Sequence, residues 1–228
     1  GLEARAPVPH RMPNYSTDLS ASPESAERPP QVGPNAAPVE LTRWLRMRLP
    51  SISSRWMSRL EARESIGGSD WHDVVRSFVD VISSMLVPVL GPLRREVEPL
   101  WVRIAELFGH TAAGRGLAAG EVIEELQILR ELVIRDLYRD PPGSGVAPLS
   151  LRDVLLLNRA VDRIVTHGSV GHTDALFFQL FDDGDREREP EAVRTAEAVL
   201  AQITSLRDEL KGVLALGADP SFAGDAEH

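Results

Sequence analysis

Any chemistry in this chain has to come from histidines, carboxylates and hydroxyls, because none of its 228 residues is a cysteine. Thiolate nucleophiles, disulfide frameworks and Cys-ligated metals are excluded together, and an intracellular, cytoplasmic setting is the expectation. Of the six histidines, His10 and His228 fall in tails and His72 at a helix start. His110 falls at an expected helix C-terminus, where a partly charged imidazole suits the helix dipole. His167 and His172 flank the Gly168-Ser-Val-Gly171 run and lie near Asp162 and Asp174. A His/Asp metal cluster, or an axial ligand to haem in an all-helical fold, is the chemistry such residues can do. Their spacing matches no standard ligand pattern, so no metal is expected, and the plainer reading is that they hydrogen-bond a break in the helix. His110, His167 and His172 are carried as candidate haem ligands.

Asn158 and Asp162 fall among Leu155, Val161 and Val165, on what should be a buried stripe. Buried polar groups cost free energy unless partnered, so the pair marks either an internal polar network or a ligand or interface contact. Glu124, Glu125 and Glu131 have the types needed for general acid–base work, but they sit among Arg130, Arg135 and Arg139 and read as a solvated, ion-paired face. No dinucleotide-binding or phosphate-loop glycine motif occurs, nor an H-E-x-x-H or G-x-S-x-G. Gly114, Gly116 and Gly120 lack a neighbouring Lys and a preceding strand, so they fit a helix–helix turn. No enzymatic activity is expected.

Positioning these residues falls to helices, since no strand-like alternation of any length appears. Residues 1–37 carry seven of the 17 prolines and few large apolar side chains, which predicts a disordered tail. Helical spacing begins at Pro38, is interrupted at Pro50, resumes from a cap at Ser51 and stops at Gly67-Gly68. A third helix capped by Ser69 or Asp70 is kinked or stopped by Pro88, and a fourth, with Val97, Trp101, Ile104 and Phe108, meets Pro99. The segment 119–139 is strongly amphipathic, with Glu131 and Arg135 as an i,i+4 pair. After the loop at Asp140-Pro-Pro-Gly, Ser150 and Asp153 cap a long helix that Gly168 and Gly171 break or bend.

Residues 190–216 form the last helix, in which Val199, Ile203, Leu206, Leu210 and Val213 follow the 4-3 alternation of a coiled-coil seam. Two copies of the chain can share that seam, or it can pack on its own domain. Residues 217–228 read as a second disordered tail. The architecture expected is all-α, either globin-like or a multi-helix bundle, with 38–182 as the helical domain and the heptad-patterned helix at its end. A net charge of −9, with arginines interleaved among acids, opposes a nucleic-acid footprint. No apolar run reaches the ~18 residues of a membrane span, and no signal-peptide core is present at the N-terminus.

The stretch Gly116-Leu-Ala-Ala-Gly-Glu-Val-Ile-Glu-Glu-Leu-Gln-Ile-Leu-Arg130, followed after a Pro/Gly loop by Leu155-Leu-Leu-Asn-Arg-Ala-Val-Asp-Arg163, resembles the N-terminal domain of the RsbR and RsbRD co-antagonist proteins of bacterial stress signalling. The resemblance covers about residues 40–182. It implies a sensory or regulatory role, a dimeric helical domain, a globin-like fold without haem, and a downstream signalling protein or output domain. Glu125, Gln127, Arg130, Asn158 and Asp162 correspond to the family pattern, as polar helix-packing contacts rather than catalytic groups. An output domain after the sensor, as RsbR carries, is missing from this sequence. The alternative expectation is a globin-like sensor that binds haem or another cofactor.

Overall fold

A computed structural model describes residues 39–63, 69–142, 151–182 and 196–217, all within the unit spanning 35–228. The expected tails at 1–37 and 217–228, Pro38, Ser150 and Ala192 lie outside the described residues, apart from Gly217 itself. The described residues form six helices: α1 (Val39–Glu61), α2 (Ser69–Leu90), α3 (Arg94–Gly114), α4 (Ala119–Arg139), α5 (Leu151–Asp182) and α6 (Ala196–Gly217). No strand occurs among them, and the fold is an all-α multi-helix bundle. Among the described residues no helix is long and apolar enough to cross a membrane.

The prolines do not end their helices as the sequence suggests. Pro50 lies inside α1, Pro88 inside α2 and Pro99 inside α3. A proline withholds one N–H from the helical ladder, and at Pro50 the carbonyl left over is that of Arg46. Both residues are exposed, so water can satisfy it. Ser51, expected as a cap, therefore stands within α1. Gly168 and Gly171 likewise do not break the helix, and α5 continues through them for 32 residues, roughly 48 Å of helix.

The two glycines and Gly109 explain how α3 and α5 meet. A Cβ on Gly109 would stand 1.8 Å from the Gly168 carbonyl oxygen, and one on Gly171 would stand 2.1 Å from the Glu106 carbonyl oxygen. Backbone lies on backbone here, which only residues without a side chain allow.

Around this contact the apolar faces close into one core. The Phe78 and Phe108 rings meet edge to face at 5.3 Å, a favourable aromatic geometry. Trp56 and Trp101 are fully buried with their indole N–H groups donated, to the Glu125 carbonyl at 2.9 Å and the Ala160 carbonyl at 3.0 Å. α1 and the residues after it are tied to α4 and its end by Arg48–Asp140, Arg59–Glu131 and Arg63–Glu124 at the surface and by Arg55 on the buried Asp136.

The heptad face of α6 is used within the chain. Val199, Ile203, Leu206 and Leu210 are buried to 3% exposure or less, and Val213 packs against the same core. α6 lies on α2 and α3, and Arg103 of α3 holds Glu209 at 2.6 Å. The stripe thus packs on its own domain, the second of the two alternatives, with Val213 only partly covered. The period of 3.5 specifies a narrow apolar stripe, and a groove between two neighbouring helices satisfies it as well as a second copy does. Truncating Leu206 to Ala is expected to cost about 2–5 kcal/mol in urea unfolding, equally at micromolar and at hundredfold higher protein concentration. A cost that vanishes on dilution would place the seam between chains instead.

Candidate functional site

The turn between α3 and α4 organises the polar interior. Gly116 takes φ +80, and the bonds from Leu117 N to Ala112 O (3.0 Å) and Gly116 N to Ala113 O (2.9 Å) form a Schellman closure of α3. On the other side Ala118 N donates to the Glu121 carboxylate at 2.7 Å and starts α4. This turn aims the Arg115 side chain inward, where it grips Glu125 through two bonds of 2.8 and 3.2 Å. The side chains are 1% and 0% exposed. From α5, the buried His172 donates Nε2–H to the Leu117 carbonyl at 2.7 Å and locks the same turn. α1 joins through the Trp56 N–H on Glu125 O, so four helices meet at one polar knot.

The sequence puts Glu125 on a solvated face, and the structure corrects this. Its neighbours Glu124 and Glu131 do lie on the outside, paired with Arg63 and with Arg59 and Arg135, but Glu125 is one of the core positions of α4. Its partner Arg115 escapes sequence reasoning, where the only signal is a lone Arg between two turn glycines. The stripe on α5 is corrected too: Leu155 and Asp162 are exposed and Asn158 half-buried, while the buried face runs through Leu157, Ala160, Val161 and Ile164.

Of the family-pattern positions, Arg130 and Asp162 are brought together as an ion pair between α4 and α5. Glu125 turns to Arg115 instead, Asn158 stands half-buried one turn away from Asp162, and Gln127 is exposed on α4. The candidate haem ligands are not brought to one place. His167 Nδ1 lies 3.0 Å from Glu106, and His110 and His167 line different cavities. His172 is 1% exposed with Nε2 engaged, and Trp101, Phe108 and Val161 are fully buried in the core. Among the described residues no group of three His, Asp or Glu side chains stands where it could hold a metal ion.

Besides the cavity at His110, about 490 Å³ and lined by Arg103, Glu106 and Asp174, two concavities have polar walls. The larger, about 880 Å³, is a groove between α1 and α2. Both helix-interior prolines of that pair, Pro50 and Pro88, line it together with several serines, and Ser53 and Ser83 hydrogen-bond across its floor at 2.7 Å. Its charges are balanced, Arg46 and Arg76 against Glu61 and Asp80. The smaller, about 430 Å³, lies between the α2–α3 turn and α5 and is bordered by Arg94, Arg159, Arg163, His167, Glu98 and Asp162.

Comparison of the chain with protein-family models, with curated proteins and with solved structures finds no match. The arrangement itself therefore carries the functional argument.

The knot has a measurable consequence. Removing one member of a buried ion pair strands a desolvated charge, at about 3–5 kcal/mol, whereas replacing both by apolar groups is often neutral. Arg115→Met and Glu125→Leu are each expected to destabilise the fold by that amount in urea unfolding, and the double variant is expected to recover most of the loss. Single-variant costs below ~1 kcal/mol, the level of an exposed pair, would contradict the buried geometry.

Proposed function

We propose that this chain is a non-catalytic sensory or regulatory domain of a bacterial signalling protein, of the RsbR type, that works as a homodimer and passes its input on as a change of helix packing. The order Glu-Leu-Gln-x-Leu-Arg then Leu-Asn-x-x-x-Asp-Arg supports the signalling part of this reading. What carries the dimer is the outward face of α5. Leu151, Leu155, Val170, Leu176 and Phe177 are between 42% and 74% exposed on this one helix, a concentration of apolar surface that a monomer rarely leaves in water.

The face is self-complementary. In an antiparallel pairing about a two-fold axis beside Ile164, Leu151 of one copy meets Phe177 of the other, Leu155 meets Thr173 and Asn158 meets Val170. Arg152 near one end then approaches Asp174 near the other, giving opposite charges at both ends. Such an isologous contact closes on itself as a two-fold dimer. A parallel pairing would set Asp162 against Asp162. The interface thus moves from α6, whose stripe is occupied, to α5.

Size exclusion with light scattering tests this reading. The whole chain is expected to run as a dimer, and Leu155→Arg with Phe177→Arg to weaken association by at least about tenfold, or 1.4 kcal/mol, with the helical circular dichroism unchanged. A wild-type chain that stays monomeric at high concentration removes the reading.

A further inference from the structure

In a chain of net charge −9, the cavity between the α2–α3 turn and α5 carries an excess of the opposite sign. Three arginines border it, Arg94 at the start of α3 and Arg159 and Arg163 one turn apart on α5, against the two carboxylates of Glu98 and Asp162. Both acids are already committed. Asp162 is held by Arg130, which reaches in from α4, and Glu98 by Arg163. Arg94 has only a long contact of 3.9 Å to Glu98, and Arg159 makes no ion pair among the described residues. Two arginines therefore line one cavity with their bidentate donors largely unspent, and such donors recognise carboxylate or phosphate oxygens.

Beside Thr166 and His167, the rest of the wall is apolar: Val89 and Leu90 from the end of α2, Leu156 and Ala160 from α5. Val89 and Leu90 are buried core residues and Leu156 packs against the core, so this wall is fixed by the fold. A volume of about 430 Å³ falls within the range of small-ligand sites, which pair an apolar lining with a few placed polar groups. The α1–α2 groove is larger, but its charges cancel and it expresses no preference of sign.

We infer that this cavity binds a small amphiphilic anion, with a carboxylate or phosphate head held between Arg94 and Arg159 and a short apolar body against Val89, Leu90, Leu156 and Ala160. Such a ligand would join the α2–α3 turn to the middle of α5. It thereby names a class of input for the regulatory reading; every lining residue comes from one copy, so a single chain suffices to form the site, while Arg159 and Thr166 also lie on the α5 face proposed to pair, so ligand and dimer contact share that surface.

Isothermal titration of the full chain with octanoate, octanamide and inorganic phosphate tests the inference. Octanoate is expected to bind with a stoichiometry of one per chain, and octanamide, of equal size without the charge, at least about tenfold more weakly. Phosphate, lacking the apolar body, is expected to compete with octanoate for the arginines. The Arg94→Ala, Arg159→Ala double variant should weaken octanoate by about tenfold or more with its helical circular dichroism intact, whereas Arg207→Ala on α6 should bind as the wild type does. No octanoate binding, equal binding of octanamide, or octanoate affinity untouched in the double variant would each overturn the assignment. A monomeric chain that binds octanoate in this pattern would dispose of the dimer and leave the site standing.

Discussion

The bare backbone contact between α3 and α5 sets the terms for everything else in the molecule. With Gly109 facing Gly168, and Gly171 facing Glu106, the two helix axes come closer than any side chain permits. That approach holds a 32-residue helix in place from its middle. One side of α5 is then committed to the core through Val161, Ile164 and His172, and the opposite side is left facing water. The outward apolar stripe, the arginines beside the α2–α3 turn and the bond from His172 to the α3–α4 turn are all consequences of where this single contact fixes α5.

The second constraint is electrostatic. A fully buried Arg–Glu pair contributes little net stability against an apolar replacement, yet it is intolerant of any arrangement that separates its members. Arg115 reaches Glu125 only because the left-handed Gly116 closes α3 as it does. The same turn offers the Leu117 carbonyl to His172. Alternative packings of α4 on α1 and α5 would strand a charge, which favours one arrangement of four helices over its neighbours. Surface pairs such as Arg59–Glu131 add orientation and little energy.

Much of this is legible in the residues. The helical class, the turn at the 114–120 glycines, the amphipathic α4 and the buried stripe of the last helix follow from period and composition, because each depends on local spacing. What is not legible depends on a partner distant in sequence. A proline or glycine reads as a break when considered alone. Pro50 stays helical where the carbonyl left unbonded belongs to the exposed Arg46, and Gly168 and Gly171 stay helical where a side chain would meet Leu126 of α4 and the Glu106 backbone of α3. Glu125 looks solvated because its sequence neighbours are charged, and only the position of Arg115 across the turn reveals a buried pair. The α6 period shows that a stripe exists without showing whose groove it fills, and the α5 stripe is misplaced by about one residue around the helix, roughly 100°, because leucines occupy both of its faces.

The glycine contact can be examined directly by thermal unfolding of single Gly→Ala variants. Helix propensity alone stabilises such a change by roughly 0.5–1 kcal/mol wherever it falls within a helix. At Gly212, exposed within α6 and with nothing within 4 Å of where the added methyl group would stand, that gain is expected in full. At Gly109 and Gly171 the methyl group meets backbone at 1.8 and 2.1 Å, and a loss of about 1–3 kcal/mol or more is expected as the helices are forced apart. If alanine at Gly109 and Gly171 stabilises the chain as it does at Gly212, α3 and α5 are not in backbone contact and this packing of the bundle is wrong.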